Sequence, residues 1–580
     1  MRSNSRASDA RVNDDHQRPT PGRTTALVTG SMIVATVGVI GSLAAVLLRG
    51  LAVGTRADVV FVLYARHELP FFLLLTGFAL LAWVGALRHD AGESAGSVTI
   101  GRFALREPGV LGTRSLAIAA VSFAAAAWLG SRVVLHGFPL SMDEYNSVFQ
   151  AQLLAAGQLV GSVPSEWQRF APALTPMFVS YRADDGFWVS TYLPGYAAIR
   201  ALFLVAGIEP LTNPVLGGLS LVAIGVVSRL VWPSHPRRVW LAVLLLATSS
   251  QFLLMSMSWY SMPAHLLLNL IWLALYLRGS RANMAVVPFV GVLAMALHNP
   301  IPHILFVAPF AVRMLRERRG KRLLYFGVIY MLGAIACLAW FRFVFAPGGG
   351  SAAGSAGVSS PFAIPSARQI VSYALHLSLV LSWQSPAVAL FIVVVVSRWR
   401  ALGTVERDLA VGVLATVVLY LCYPFAQGHG WGYRYIYNVL GNLILLAAVG
   451  ADVVVRDLGE RYTRRIVAAS VALTVLVQWP LRLVQIERFV RPFALASAYL
   501  QSRPEEAVVI ESDSAFYAHD LIRNDPLFSA GPRILGAPQL TPADQVELKR
   551  RRDGRVLFVS AADLADLGLL IDSASTPARP

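Results

Sequence analysis

The chain has 580 residues, of which 56% are hydrophobic and only 14% are charged, and its mean hydropathy is +0.58. This composition excludes the soluble globular class and is typical of a membrane protein. The formal net charge of +16 is explained by basic residues that flank membrane helices, so we expect no nucleic-acid partner. Two cysteines, Cys337 and Cys422, lie within apolar runs, which excludes a disulfide framework and a cysteine-based zinc cluster.

Apolar runs of membrane-spanning length recur along the chain, after an N-terminal segment, 1–24, that we expect to be a disordered cytoplasmic tail. The first run, 26–48, is interpreted as a membrane helix because it is too long for a signal-peptide core and no small-residue cleavage site follows it. A span needs about 20 apolar residues. The sequence therefore predicts an all-α polytopic membrane protein with about 13 spans, at 26–48, 69–87, 115–135, 213–232, 239–257, 263–278, 283–298, 300–315, 322–346, 385–397, 408–425, 435–453 and 466–480.

Two further apolar segments are predicted not to cross the membrane as full spans. The segment 192–207 is short and begins at a Pro-Gly pair, which indicates a helix that lies in or dips into the outer leaflet. The segment 370–383 is interpreted in the same way. It follows a Gly- and Ser-rich stretch, 348–360, whose composition predicts a mobile outer loop.

The distribution of Lys and Arg predicts the orientation of the chain. With the N-terminus in the cytoplasm, most basic residues fall in short cytoplasmic segments such as 313–322 and 456–465, as the positive-inside rule requires. The apolar spans stop near residue 482, and the last hundred residues are expected to form a small soluble α/β unit outside. Within it, 507–512 and 555–560 are predicted to be buried strands.

An acidic pair stands in the first large outer loop, 136–191, where Asp143 and Glu144 are adjacent. Ser141 followed three residues later by Glu144 is a capping box, so a structural interpretation of the pair is available. A cap explains one acid only, and unpaired charge is costly at a membrane interface. The functional interpretation is that one carboxylate acts as a general base on an acceptor hydroxyl.

Other polar residues are predicted at the outer ends of later spans. Each histidine alone is more often structural, and interfacial aromatic residues are common. Arg434 is the stronger signal because it is the basic residue of its outer loop, and a guanidinium can bind a phosphate through two hydrogen bonds. The outer-end residues that we select are Tyr260, His265, His298, Asn299, His303, His429, Trp431, Tyr433, Arg434 and Tyr435.

These motifs resemble the GT-C superfamily of integral-membrane glycosyltransferases. The resemblance is to family 39 and its relatives, the protein O-mannosyltransferases and the bacterial aminoarabinose and galacturonic acid transferases that modify lipid A. It rests on the acidic pair, on the following segment 143–159, on the Tyr-x-Pro-Gly segment at 192–196, and on "GHGWGYRY" at 428–435. It covers about residues 115 to 480 and supports a superfamily rather than a substrate.

The resemblance implies a division of the chain and a reaction. The tail 1–24 is followed by an extra two-helix membrane segment, 25–114, by a GT-C-like transmembrane domain, 115–481, and by the outer α/β domain, 482–580. The implied reaction moves a sugar from a polyprenyl-phosphate carrier to a lipid, glycan or protein hydroxyl, with inversion, on the outer face of the bacterial cytoplasmic membrane, where membrane lipids surround the protein.

The resemblance also implies roles for individual residues. Asp143 is the candidate base, with Glu144 supporting it. Arg434 is the candidate ligand of the departing phosphate, with His265 or His298 beside it. The first outer loop has no Lys, which some relatives use near the donor, and Arg169 or Arg182 is expected to substitute. No cofactor is required by the motifs, and the use of a divalent metal is left open. The further substrate-binding candidates are Tyr192, Asn299 and Tyr435.

Two functions from other classes compete with the enzyme. A transporter or flippase of a lipid-linked sugar would place polar residues at the bilayer midplane and show internal repeats; few midplane charges and no clear repeat are present. A catalytically inactive membrane scaffold is the second alternative, and the intact Asp143 and Arg434 argue against it.

Overall fold

The computed structural model describes residues 25–51, 59–90, 111–345, 349–351, 364–423, 427, 431–513, 515–550 and 555–570. The predicted tail 1–24, His429 and residues 352–360 of the Gly- and Ser-rich stretch lie outside these ranges. Helices dominate the described residues. Up to residue 257 they are α1 Thr25–Leu51, α2 Val59–His67, α3 Leu69–Asp90, α4 Thr113–Val133, α5 Met142–Ala155, α6 Ser165–Gln168, α7 Ala171–Leu174, α8 Gly195–Val205, α9 Thr212–Val231, α10 Pro236–Ala247 and α11 Ser250–Met257.

The second half of the chain is built in the same way, with a small sheet unit at its end. Its helices are α12 Met262–Arg278, α13 Arg281–Met295, α14 Ile301–Arg316, α15 Gly320–Val344, α16 Ala367–Ser382, α17 Pro386–Ser397, α18 Thr404–Leu421, α19 Leu440–Leu473, α20 Trp479–Gln501, α21 Pro542–Arg550 and α22 Ala561–Asp566. The strands of the whole chain are β1 Gly161–Ser162, β2 Val179–Arg182, β3 Phe187–Ser190, β4 Gly349–Ser351, β5 Ala507–Ile510, β6 Arg533–Gly536 and β7 Val556–Val559.

Several of these helices are long and apolar enough to cross a membrane. By length and composition there are six among the described residues, or up to eight if each of two bent helix pairs counts as one span. Helices α12 and α13 are apolar but shorter. The predicted all-α polytopic architecture with a small α/β unit is confirmed, and the count of about 13 spans stays a prediction.

Two predicted spans belong to pairs of helices that meet at a bend. The run 239–257 divides into α10 and α11, which are bent by 55°, and the Ser249 side chain caps the new helix by accepting a hydrogen bond from the backbone of Phe252. The short run 385–397 becomes α17 and meets α16 at 111°. The segment 370–383, predicted to lie in the interface, is therefore the first arm of a sharply bent pair. Residues 195–205 form the short helix expected there.

The last predicted span continues further than the sequence suggested. The residues Leu440–Leu473 of α19 are two helices that meet at a kink at Gly459, where φ is 82°, so the predicted spans 435–453 and 466–480 fall in separate helices. A turn of π-helix at Thr474–Gln478 leads into α20, which ends at Gln501. Residues 482–501, assigned to the outer domain from sequence, are thus helix, and the sheet that follows starts at Ala507.

Two small sheets lie outside the helical bundle. Strands β1 to β4 form an antiparallel sheet in the order β1-β3-β2-β4, which the sequence did not predict. Strands β5, β6 and β7 form a parallel sheet in the order β6-β5-β7. The strands predicted at 507–512 and 555–560 are confirmed, and β6 lies between them in sequence without having been predicted.

The C-terminal sheet shares a hydrophobic core with the loop that carries the acidic pair. Phe149 of α5 and Trp188 of β3 belong to the same buried cluster as Val509 of β5 and Leu535 of β6. Because apolar burial is the main stabilising term in folding, these two parts of the chain stabilise each other. The C-terminal unit is therefore joined to the loop by a common core.

A buried ion pair ties the N-terminal helices to α20. Arg482 donates two hydrogen bonds to Glu68, of 2.6 and 2.8 Å, and its guanidinium lies 3.4 Å from the ring centre of Phe71. Ser382 and Trp383 donate to the two remaining positions on the carboxylate, at 2.9 and 3.0 Å. The Glu68 carboxylate thus accepts four hydrogen bonds, which is the condition under which a buried charge is tolerated, and the Nε of Arg482 remains without a partner.

Candidate active site

Helix α5 begins with the capping box expected from the sequence. The Ser141 hydroxyl accepts from the Glu144 backbone at 3.3 Å, and Oε2 of Glu144 accepts from the Ser141 backbone at 3.0 Å. The second oxygen, Oε1, accepts from the backbone of Trp259 at 2.9 Å. Glu144 is 2% exposed. Both of its oxygens thus hold backbone in place, which fits a structural role for this acid.

Asp143 projects to a different side of the helix because successive residues are about 100° apart. Its Oδ2 accepts a hydrogen bond of 2.8 Å from Nη1 of Arg434, and its Oδ1 accepts one from the hydroxyl of Tyr192. The side chain of Asp143 is 23% exposed and that of Arg434 is 4% exposed. The structure thus brings together three residues selected from the sequence for the site.

The Tyr-x-Pro-Gly segment positions Tyr192 against His298. The backbone of Gly195 donates to the carbonyl of Ala296 at 2.9 Å, and Tyr196 donates to the carbonyl of Leu297 at 3.1 Å. A Cβ on Gly195 would lie 2.5 Å from the Ala296 oxygen, so only glycine permits this approach. As a result the rings of Tyr192 and His298 lie 4.0 Å apart between centres.

Arg434 stands on a turn that two glutamines hold. Gln427 accepts from the backbone of Arg434 at 2.9 Å, and Gln251 donates to the carbonyl of Tyr433 at 2.9 Å. The guanidinium lies 4.4 Å from the ring centre of Tyr260, which stabilises a cation through the π face. Its Nε is buried without a hydrogen-bond partner. The guanidinium therefore has donor capacity that the protein does not use.

These residues line a cavity of about 740 Å³. Asp143, Tyr192, His298 and Arg434 also line a second, much smaller chamber of about 20 Å³, so they stand between two spaces. The larger of the two volumes accommodates an organic ligand. The lining residues of the large cavity are Ser141, Met142, Asp143, Met177, Phe178, Thr191, Tyr192, Ser261, Met262, His265, His298, Asn299, Ile301, Pro302, Phe341, Phe345, Tyr420, Tyr423, Gln427, Arg434, Tyr435, Asn438, Tyr517, His519 and Asp520.

The ionisation of the site follows from its contacts. Burial alone raises the pKa of Asp143, but the Arg434 charge and the hydrogen bonds from Tyr192 and Arg434 together hold that pKa below its usual value. Burial lowers the pKa of His298 despite the nearby Asp143 carboxylate. Burial and the same carboxylate raise the pKa of the Tyr192 phenol. At neutral pH the site therefore holds an aspartate, a neutral imidazole and a phenol.

Most of the selected residues meet at the cavity, and some do not. His265, Asn299 and Tyr435 line it together with the residues above. Glu144 does not, because it serves the cap. Arg182 lies on β2, where it pairs with Asp185 at 2.7 Å. Arg169 pairs with Asp544 of the C-terminal unit at 2.6 Å. Neither arginine is thus available at the cavity to substitute for a lysine.

His303 is part of a polar network between helices rather than of the cavity wall. Its Nδ1 lies 2.7 Å from Oδ1 of Asn269, and its Nε2 lies 2.8 Å from the hydroxyl of Tyr330. Both ring nitrogens are satisfied in a fully buried position. This arrangement is the structural role expected of most buried histidines.

Three cavity residues from the C-terminal unit were not anticipated from the sequence. Tyr517, His519 and Asp520 complete the lining. Nε2 of His519 lies 3.0 Å from Oδ1 of Asp520, and this contact raises the pKa of His519 although burial opposes it. Tyr517 has a left-handed backbone conformation, with φ of 55°, and such residues cluster at functional sites.

Arg523 fixes this C-terminal wall to the base of α5. It donates to the carbonyls of Pro139 and Leu140 at 2.6 and 2.8 Å, and to the carbonyl of Asp520 at 2.7 Å. The hydroxyl of Tyr145 in α5 donates in turn to the carbonyl of Asn524 at 2.6 Å. Helix α5 and the segment 517–524 therefore form one connected support for the cavity.

The described residues contain no group of three or more His, Cys, Asp or Glu side chains placed to hold a metal ion. His265 and His298 are near each other at the cavity, but the carboxylate of Asp143 is already bound by Arg434 and Tyr192. The use of a divalent metal therefore stays open.

Comparison with known proteins gives a distant likeness. Neither protein-family models nor curated proteins match the chain. Two crystal structures of ArnT from Cupriavidus metallidurans are similar to it at 13% identity and a TM-score of 0.47. The apo structure is matched over 76% of this chain and 88% of its own, and the structure bound to undecaprenyl phosphate over 79% and 91%. Identity and TM-score are too low for this likeness to establish activity, substrate or residue roles here.

Proposed function

We propose that this chain is a membrane glycosyltransferase that moves a sugar from a polyprenyl-phosphate carrier to a hydroxyl of a lipid, glycan or protein. The transfer takes place on the outer face of the cytoplasmic membrane. The observation that carries the proposal is a buried arginine, with its Nε unpaired, that lines a cavity beside a carboxylate. An anion with several acceptor oxygens satisfies such an arginine, and a phosphodiester is one.

The chemistry requires two protein groups, a base for the acceptor hydroxyl and a ligand for the departing phosphate. The acceptor oxygen attacks the anomeric carbon of the sugar from the side opposite the phosphate, so the configuration inverts. The bond between that carbon and the phosphate oxygen breaks, and the carrier leaves with the electron pair as a phosphate monoester. Asp143 takes the proton of the acceptor hydroxyl. Arg434 stabilises the additional negative charge on the departing phosphate.

The contact between Asp143 and Arg434 determines the order in which the donor and the acceptor take part in the reaction. With Arg434 bound to it, Asp143 has a pKa below its usual value and is a weak base. A donor phosphate competes for the same guanidinium. Once Arg434 turns to the phosphate, Asp143 loses its counterion and becomes more basic. Binding of the donor thus prepares the base, and the acceptor reacts afterwards.

The test uses purified protein in lipid nanodiscs and a panel of undecaprenyl-phosphate sugars, with release of undecaprenyl phosphate as the readout. Membrane extracts supply the acceptor. Wild type is expected to release the carrier, whereas Arg434→Ala is expected to lose affinity for undecaprenyl phosphate. Arg182→Ala is the matched control, because it removes an arginine whose ion pair lies away from the cavity.

Full turnover by Arg434→Ala with normal expression would show that Arg434 is not the phosphate ligand. Absence of carrier release and of undecaprenyl phosphate binding in wild type would contradict the proposed activity. Deletion of the gene offers an independent readout, since a glycan or lipid of the cell envelope should lose the mass of one sugar.

A further inference from the structure

His265 is a buried histidine without a hydrogen-bond partner on either ring nitrogen. It is 4% exposed, lies in the first turn of α12 and lines the large cavity. Neither Nδ1 nor Nε2 bonds to any described protein atom. Buried polar atoms are nearly always paired, and leaving one unpaired costs about 1–3 kcal/mol. Two such atoms on one ring in the cavity wall indicate a place where a ligand can bind.

Asn438 presents a third unpaired atom to the same cavity. It is 5% exposed, and its Oδ1 has no partner. Its Nδ2 donates to the carbonyl of Pro302 at 2.8 Å, which fixes the side chain so that the oxygen remains unbound. Asn438 also lines the cavity. The cavity wall thus offers an amide oxygen that can only accept a hydrogen bond.

Helix α12 holds the two residues near each other. Asn269 donates to the backbone carbonyl of Asn438 at 2.9 Å. His265 precedes Asn269 by four residues, and residues at this spacing lie on the same face of a helix. His265 therefore faces the segment that carries both Arg434 and Asn438.

The chemistry of these atoms favours hydroxyl groups over a phosphate. A neutral imidazole offers one donor and one acceptor, and the amide oxygen offers an acceptor. A hydroxyl both donates and accepts, so two sugar hydroxyl groups satisfy all three atoms. A phosphate diester carries acceptors only, and the Asn438 oxygen would repel it. The role expected for His265 from sequence, as a phosphate ligand, is therefore less suited to this position than sugar binding.

The charge of the cavity restricts the sugar further. Among the described lining residues, Asp143 is paired with Arg434 and His519 with Asp520, and no ion pair of the described residues includes His265. The segments 346–348, 352–363, 424–426 and 428–430, which adjoin lining elements, contain no Asp, Glu, Lys or Arg. A sugar carboxylate would thus be buried without a counterion, which is costly, and a sugar ammonium would pair with the Asp143 carboxylate that Arg434 releases and so prevent it from acting as the base.

We infer that His265 and Asn438 form the donor-sugar subsite, and that they select an uncharged sugar bound through its hydroxyl groups. The inference rests on the proposed function and deepens it, because it names the class of sugar that the cavity accepts. In the reaction, Arg434 holds the phosphate, Asp143 receives the acceptor proton, and the uncharged polar pair orients the sugar between them.

The experiment compares binding of undecaprenyl phosphate, which has no sugar, with turnover of donors that differ in charge. The donors carry mannose or glucose, which are neutral, aminoarabinose, which is cationic, and galacturonic acid, which is anionic. Wild type is expected to prefer the neutral donors. His265→Ala is expected to bind undecaprenyl phosphate within about twofold of wild type, while kcat/KM for neutral donors falls by about 10- to 100-fold, the scale of one or two buried hydrogen bonds.

Two further variants keep the test decisive. His265→Gln retains a donor and an acceptor, so it should recover part of kcat/KM and serves if the alanine variant folds poorly. His303→Gln is the matched control, since both nitrogens of His303 are already paired inside the protein. It should lower thermal stability without changing the preference among donors.

The outcomes separate this inference from the proposed function. If His265→Ala weakens undecaprenyl phosphate binding as much as Arg434→Ala does, His265 is a phosphate ligand and the inference fails while the function stands. Preference of the wild type for the aminoarabinose or galacturonic acid donor would also contradict the inference and leave the proposed function intact. If wild type binds no undecaprenyl phosphate and turns over no donor, both the function and the inference fail.

Discussion

Two buried arginine–carboxylate pairs among the described residues differ in how many hydrogen bonds the carboxylate accepts. In the pair of Arg482 and Glu68, two hydrogen bonds join the partners, Ser382 and Trp383 complete the carboxylate, and aromatic rings flank the guanidinium. In the pair of Arg434 and Asp143, one hydrogen bond of 2.8 Å joins the partners, and both line a large cavity. The first pair holds the N-terminal helices against α20, whereas the second lines a cavity that a ligand can enter.

Both arginines leave their Nε without a partner, so the difference lies in the carboxylate and in the cavity beside it. A carboxylate that already accepts four hydrogen bonds has nothing left to offer a substrate, so removal of its partner affects folding. A carboxylate with fewer hydrogen bonds at a cavity keeps acceptor capacity in reserve at some cost in stability, and such a cost is typical of functional sites.

The largest effect is expected from breaking the pair of Arg482 and Glu68. Arg482→Met leaves Glu68 buried without its cation, so the free energy of unfolding should fall by about 3–5 kcal/mol. Thermal unfolding in detergent measures this. The double variant Glu68→Met with Arg482→Met removes both charges and should recover most of the loss. A stable single variant would mean that this pair is no more structural than the other.

Asp143→Asn tests the pair of Arg434 and Asp143. The amide keeps the shape of the side chain but cannot take a proton, so turnover should fall by about a hundredfold, which corresponds to about 2.7 kcal/mol in activation free energy. Thermal stability should fall less than in Arg482→Met, because the pair lines a cavity where water can hydrate the Arg434 side of the site. A loss of stability as large as that of Arg482→Met would show that the two pairs contribute equally to folding.

Gly195→Ala tests how the site around Asp143 is positioned. The added Cβ would lie 2.5 Å from the Ala296 oxygen, so the segment must move and displace Tyr192 and His298 from Asp143. Turnover should fall by about tenfold, with a stability loss of about 1–2 kcal/mol from overpacking. Gly327→Ala is the matched control, because the structure leaves open space around that glycine. Equal effects of the two variants would contradict the positioning role.

Glu144→Gln should have a smaller effect than Asp143→Asn. Glutamine can still close the capping box, so the expected loss of stability is about 1 kcal/mol, and most of the turnover should remain. Parallel assays of the two variants measure the difference. If Glu144→Gln is inactive while Asp143→Asn turns over normally, the roles of the two acids are reversed.

The smallest effect is a dependence of stability on pH. The pKa of Asp143 is lower in the folded protein than its ordinary value, so its contribution to stability is complete above the ordinary carboxylate pKa of about 4 and is lost as the pH falls through the folded pKa. The stability difference between wild type and Asp143→Asn should therefore be constant at neutral pH and shrink in acid. A difference that grows in acid would contradict the ion pair.

Much of the architecture follows from local patterns. Hydropathy located the apolar helices because a span requires a continuous apolar run, and the spacing of Ser141 and Glu144 predicted the cap that the structure contains. The convergence of Asp143 and Arg434 was inferred from charge placement on one side of a membrane. In each case, the physical constraint acts either on residues that are close in sequence or on residues at the same surface of the membrane.

The remainder depends on contacts that no local pattern encodes. Glu68 and Arg482 are 414 residues apart, and each stands singly at the end of an apolar run. Strands β1 to β4 are two to four residues long, too short for an alternating pattern. His519 and Asp520 become cavity residues only because Arg523 fixes their segment to the base of α5. Sequence reasoning could select polar residues but not their partners.

The separation of Asp143 and Arg434 along the chain has a consequence for biogenesis. The two residues are 291 positions apart, and a ribosome adding 5–20 residues per second needs roughly 15–60 s to bridge that interval. During this time the nascent chain carries an aspartate without its arginine next to the bilayer, and the wall that contains His519 is synthesised later still. Insertion into the membrane therefore passes through a stage in which the carboxylate is hydrated or held by another factor, and chains stalled before residue 434 should be preferred substrates for membrane quality control.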